Sequence, residues 1–114
     1  MKIFAIDWGS RTNKLVVYDG KEVEAAETDL LGFVRTHSPC LILIEPTFES
    51  YSRAVHNEVI DEAEKLGTKI RTLPTRKTAS ERGKRGIEKT DEADARLIWT
   101  LYHEGRVHFA PPRR

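Results

Sequence analysis

Residues Cys40-Leu41-Ile42-Leu43-Ile44 form an unbroken apolar run behind Pro39, and Glu45 closes it at once. The run lacks the alternation of a strand with one wet face, so it predicts a strand covered on both faces. A chain of 114 residues suits one domain built around such a strand, burying about two thirds of the surface its unfolded form exposes. With 32% charged and 39% hydrophobic residues, and long apolar-periodic stretches, the composition is that of a globular domain.

The rest of the chain supplies partners for that strand. Lys2 to Asp7 is a short, mostly apolar run that predicts a second doubly buried strand ending at Asp7, and Leu15 to Tyr18 is rich in β-formers. Trp8 to Asn13 reads as a tight polar loop between them. Asp19-Gly20 stands between Leu15-Val16-Val17-Tyr18 and Lys21-Glu22-Val23-Glu24-Ala25, a strong hairpin signal, so the first three strands should form an antiparallel meander. Thr28 or Asp29 can cap a short helix through Val34. Tyr51, Ala54, Val55, Val59, Ile60, Ala63 and Leu66 trace an apolar stripe at helical spacing, closed by Gly67. Lys69 to Leu73 is a fifth strand. In the stretch Arg76 to Lys89, Gly83 and Gly86 argue against one unbroken helix, and the stretch is expected to be partly mobile. Thr90 can cap a last helix that carries Asp91, Glu92 and Asp94 in its first turn, has Ala95, Leu97, Ile98, Leu101 and Tyr102 as its body, and ends at Gly105. The expected class is α/β: a mixed five-stranded sheet with three antiparallel strands first, then alternating helices and strands.

Net charge is only +1, but the charge is segregated. From Glu49 to Glu64 there are five acids and one base, whereas from Lys69 to Lys89 there are eight bases and two acids. The basic residues Arg76, Lys77, Arg82, Lys84, Arg85 and Lys89 are therefore candidates for holding nucleic-acid phosphates, with a solvated surface loop as the plain alternative. Arg113-Arg114 adds charge at the end. The longest apolar run is far too short for a bilayer and the N-terminus has no signal-peptide pattern, so a cytoplasmic protein without a membrane partner is expected. Cys40 is the only cysteine, which excludes an intramolecular disulfide and suits a buried, inert thiol.

Two acids close buried strands, Asp7 and Glu45, and two more, Asp91 and Asp94, stand three apart at a helix start. If the strands ending in Asp7 and Glu45 lie side by side and parallel, both carboxylates reach one sheet edge. Residues three apart share a helical face, so Asp91 and Asp94 can converge there too. Each acid alone has an ordinary explanation, since first-turn acids favour the helix dipole and an acid after a strand can begin a turn. Together they would repel unless a cation neutralises them. Oxygen ligands without a His or Cys pattern select Mg²⁺ or Mn²⁺ over zinc, and two such ions could activate water and stabilise a leaving oxygen. His37, His56, His103 and His108 show no ligand spacing. Ser10 and Thr47 read as loop and cap residues, and Trp8 as either a base-stacking indole or a ring packed over its loop.

Three stretches, Ala5-Ile6-Asp7-Trp8-Gly9-Ser10, Ile44-Glu45-Pro46-Thr47 through Tyr51, and Lys89-Thr90-Asp91-Glu92-Ala93-Asp94-Ala95, resemble the N-terminal domain of DEDD-type insertion-sequence transposases. The last is similar to that family's Lys-Thr-Asp-x-x-Asp-Ala segment and is the most specific. The chain departs from the family where Phe48 follows Thr47 in place of the usual Gly. The resemblance implies an RNase H-like (RuvC-like) fold related to Holliday-junction resolvases, with Asp7, Glu45, Asp91 and Asp94 as catalytic metal ligands. It implies Mg²⁺-dependent cleavage of DNA during transposition, DNA and an element-encoded guide RNA as partners, and association into a homo-oligomer. Such transposases continue into a second, serine-bearing domain with no counterpart here. Residues 1–114 are thus expected to be a single nuclease domain, excised or stand-alone. A catalytically inactive nucleic-acid-binding or oligomerisation remnant is the alternative. Ile6-Asp7-Trp8-Gly9-Ser10 before a hairpin also resembles the first phosphate loop of sugar kinases and actin-like ATPases, though the glycine-rich second lobe of those proteins is missing.

Overall fold

A computed structural model describes residues 1–9, 14–46 and 53–113, with side chains for all of these except 9, 14 and 53–55. The element order is β1 (Lys2–Gly9), β2 (Lys14–Tyr18), β3 (Val23–Ala26), α1 (Leu30–His37), β4 (Cys40–Ile44), α2 (Arg53–Lys65), β5 (Lys69–Thr72), α3 (Thr75–Arg85) and α4 (Asp91–Glu104). The class is α/β, with a five-stranded mixed sheet and four helices among the described residues. No helix among them is long and apolar enough to cross a membrane.

The first three strands form the expected antiparallel meander, but across the sheet the order is β3-β2-β1-β4-β5, which does not follow the chain, and the expected alternation of helices and strands ends after β5. The N-terminal strand is central, antiparallel to β2 on one side and parallel to β4 on the other. Beyond β5 two helices follow in succession, because most of the stretch from Arg76 to Lys89 is helical, as far as Arg85. Gly86 does not break α3 but ends it, in the left-handed conformation (φ 65°), where its N–H and that of Ile87 satisfy the last carbonyls. Gly83 costs about 1 kcal/mol against alanine. The buried Thr78 and the pairs Arg82–Asp94 and Arg85–Glu104 tie the helix down against that cost.

All five residues of β4 are buried, as a strand covered on both faces requires. Side chains alternate along a strand, so one set must go to each face. Phe4, Ile6, Ile42 and Ile44 join Leu30, Phe33 and Val34 of α1 and Val59 and Ala63 of α2 in one core. Ala5, Leu41 and Leu43 join Leu97, Ile98 and Leu101 of α4 in the other. Each fully buried Ile or Leu contributes roughly 1.5–3 kcal/mol, so the two cores hold the helices on their faces. In α2, Val59, Ile60 and Ala63 bear out the apolar stripe, whereas the side chains of Tyr51, Ala54 and Val55 lie outside the described residues. Asp29 caps α1 by accepting from the Gly32 N–H at 2.8 Å, and the helix continues to His37, past the expected end at Val34.

The Asp19-Gly20 hairpin forms with Tyr18 opposite Val23, and Asp19 Oδ1 accepts from the N–H groups of Lys21 and Glu22. Gly20 has φ 97°, and a Cβ there would lie 2.6 Å from Cζ2 of Trp99 on α4. Trp99 meets the Tyr18 ring edge-on at 5.5 Å, and the Tyr18 hydroxyl donates to the Gly20 carbonyl at 3.0 Å. Backbone strain and a clash with a fixed indole act together, so Gly20→Ala is expected to destabilise the fold by about 2–4 kcal/mol. Chemical denaturation measures it; a loss under about 0.5 kcal/mol would mean that the turn and the α4 contact are not coupled.

Candidate metal centre

Asp7 is not the last residue of its strand. β1 runs on to Gly9 by pairing with β2, whereas its ladder with β4 stops at Ile6 opposite Ile44. Asp7 and Glu45 therefore occupy the next positions of two adjacent parallel strands, just beyond their shared ladder. Alternation decides their direction. Asp7 follows Ala5 by two and Glu45 follows Leu43 by two, and Ala5 and Leu43 both face α4. Both acids thus point to the α4 side of the sheet.

The start of α4 meets them there. Thr90 caps the helix, its Oγ1 accepting from the Ala93 N–H at 3.0 Å, and the backbone N–H of Asp94 donates to the Thr90 carbonyl at 2.9 Å. One carboxylate oxygen from each of Asp7, Glu45 and Asp94 can be chosen so that all lie within 4.8 Å of one another. All three residues are buried, at 8%, 6% and 6% exposure, which sets them apart from ordinary surface acids. Asp91 is exposed, yet it hydrogen-bonds to the Asp7 carboxyl from the rim. The structure thus brings all four predicted acids together, three inside and one at the edge.

The electrostatics follow from burial. Loss of water pushes the Asp7 carboxyl up to about 8, and the hydrogen bond to Asp91 and the charges of Asp91, Asp94 and Glu45 push the same way. Burial and the Asp94 charge likewise raise Glu45, opposed by the hydroxyls of Thr75 and Thr78 and by Arg82. Those hydroxyls approach Glu45 without closing its coordination: Glu45 Oε2 and Thr78 Oγ1 are buried with no hydrogen-bond partner. A buried carboxylate oxygen left in that state is costly unless something binds it. Clustered carboxylates that hold a proton, together with this unbound oxygen, fit a hard cation. A metal ion could bind Asp7, Glu45 and Asp94.

The basic candidates divide in two. Arg82 points inward and holds Asp94 with two hydrogen bonds, Nε to Oδ1 at 2.9 Å and Nη2 to Oδ2 at 3.2 Å. Arg85 is tied to Glu104 and Glu81, and Lys84 to Glu81 at 3.4 Å. Arg76, Lys77 and Lys89 are exposed. The sequence reading missed Thr75, Thr78 and the inward role of Arg82. Their spacing of three and four marks one helical face, a signal hidden once the glycines were taken as helix breakers.

Other singled-out residues lie elsewhere. Trp8 is half-buried against the core on the α1 and α2 side. Cys40 is buried and free. His37 packs near the Phe4 and Phe33 rings, His56 contacts the Arg113 carbonyl through Nε2, and His103 stacks on Trp99. Ser10, Thr47, Phe48 and Arg114 lie outside the described residues. Set against models of known protein families and against curated proteins, the chain matches none.

Proposed function

We propose that this chain is a metal-dependent phosphodiester-cleaving domain of RNase H-like architecture, acting on DNA as the N-terminal domain of a DEDD-type transposase would. The observation that carries this reading is the convergence of Asp7, Glu45 and Asp94 from three separate elements, within 4.8 Å and out of water. The strand order, with a central β1 parallel to β4, is compatible with that architecture. Arg76, Lys77 and Lys89 are exposed, and as cations near Asp91 and Asp94 in sequence they would be available to a nucleic-acid backbone.

Mg²⁺ or Mn²⁺ would suit these oxygen ligands, and when bound would polarise a phosphoryl oxygen and lower the pKa of a water. The chain's own residues do the rest. Asp7, on the central strand, is the ligand whose position changes least, and it must give up its proton to serve as one. Glu45 presents its unpartnered Oε2 from the neighbouring strand. Asp94 faces them from α4, and Asp91 at the rim can accept a proton from an incoming water. Among the described residues the acids form one cluster, which supports one ion position; the two ions expected from the sequence would have to share it.

Calorimetric titration with Mn²⁺ tests the site. Binding is expected to be saturable, to be weakened at least tenfold by Glu45→Gln, and to release close to one proton near pH 7 as Asp7 ionises. Absence of binding, or binding indifferent to Glu45, would remove the metal centre and the nuclease reading with it.

A further inference from the structure

α3 turns one face toward the acids, and Arg82 is its longest reach. Its guanidinium engages both oxygens of Asp94, and the pair is largely out of water, with side-chain exposures of 14% and 8%. Asp94 is also one of the three acids whose oxygens gather within 4.8 Å. The cluster therefore already holds a cation, supplied by its own chain.

An arginine in this place has two opposite effects on a metal ion. It competes, because an ion drawing on Asp94 must displace at least one N–H from an oxygen and tolerate a positive neighbour in a site with little water. It also helps, by orienting Asp94. The second effect is small here, since α4 positions Asp94 independently: the Asp94 N–H is bonded within the capped first turn, and Ala95, Leu97 and Ile98 beside it are buried. Competition dominates. The displaced group would not be wasted, because the same planar fork that fits a carboxylate fits a phosphate.

Building on the metal-site reading above, we propose that Arg82 is an internal cation that a metal ion displaces from Asp94, and that the released guanidinium then takes a phosphate oxygen of the nucleic-acid backbone at the site. Arg82 thereby couples metal occupancy to substrate binding. Without metal the guanidinium is engaged by Asp94; with metal it is available.

The test measures two affinities in wild type, Arg82→Gln and Arg82→Lys: that for Mn²⁺ by calorimetry, and that for a synthetic four-way DNA junction by fluorescence anisotropy with and without Mn²⁺. Arg82→Gln is expected to bind Mn²⁺ about tenfold more tightly, equivalent to about 1.4 kcal/mol. Its junction affinity should fall in Mn²⁺, with a salt dependence shallower by about one phosphate contact, and should match wild type without Mn²⁺. Arg82→Lys, which cannot fork across both oxygens, should also bind Mn²⁺ more tightly than wild type, and it carries the test if the glutamine variant does not fold. Equal or weaker Mn²⁺ binding by the variants overturns the proposal, as does a junction defect that is the same with and without metal. Asp94→Asn separates the two readings. Wild-type Mn²⁺ binding in that variant removes the metal site itself, whereas lost binding there, combined with unchanged binding in the Arg82 variants, removes only the role of Arg82.

Discussion

Asp7→Asn is expected to yield a protein that is more stable than wild type without metal and no longer binds Mn²⁺ measurably. The folded state holds the Asp7 carboxyl near pH 8, against 3.8 for the free side chain, so between these values it keeps a proton that the unfolded chain releases. A raised folded-state pKa contributes stability that is fully present below about pH 4 and is lost as the pH rises through 8. Metal-free wild type should accordingly weaken across that window at a nearly constant rate per pH unit, levelling off above pH 8. Asparagine is neutral throughout and can still donate to Asp91, as the protonated acid does. The variant should match wild type near pH 4 and exceed it at pH 9 by on the order of 2–3 kcal/mol, less than the full shift implies because the site can open and admit water. Saturating Mn²⁺ should reverse the ranking, since a bound ion stabilises only the protein that can ligate it. Urea denaturation at both pH values, with Mn²⁺ or chelator, provides the measurement. An Asp7→Asn protein less stable than wild type at pH 9 without metal would show that the carboxyl is not under the strain assigned to it.

The proposed cleavage should fall by about a thousandfold or more in each of Asp7→Asn, Glu45→Gln and Asp94→Asn, and by only about tenfold in Asp91→Asn. Geometry separates the fourth acid from the other three. Asp7, Glu45 and Asp94 are buried and mutually close, whereas Asp91 stands in solvent and reaches the site through its hydrogen bond to Asp7. As the proposed ligands of one ion, the three would act as a unit, so a double change among them should cost little more than a single one. Asp91→Asn should instead combine with the others according to how it alters Asp7. Initial rates on a four-way DNA junction and on single-stranded DNA, at high enzyme and in Mn²⁺, rank the variants. Cleavage undiminished in Asp94→Asn would refute the grouping, and equal losses in all four would return Asp91 to the inner set.

The elements themselves were legible because their signals are local. The unbroken run Cys40–Ile44, the Asp19-Gly20 turn, the Thr90 cap and the terminal Gly105 each state their structure within a few residues, and the structure has them all. Of the two glycines, Gly86 does end the helix, whereas Gly83 misled for the same reason. Gly83 is a weak helix residue, but a single exposed glycine costs about 1 kcal/mol, which contacts from α4 can outweigh and no local rule can weigh. Asp7 was placed at a strand end because the polar loop was taken to begin at Trp8. Pairing with Val16 and Leu15 of β2 extends the strand, and pairing is a property of two segments.

By itself, the sequence determined which acids belong to buried strands and to a helix start, since alternation, apolar runs and capping are short-range chemistry written in order along the chain. Only the tertiary structure decided that Asp7, Glu45 and Asp94 are buried together, that Asp91 stays outside and that Arg82 neutralises Asp94. Those outcomes depend on which strand lies beside which and on which helix covers the α4 side of the sheet. Proximity across that distance in sequence is set by the summed burial of two cores, and no single residue or motif encodes the sum.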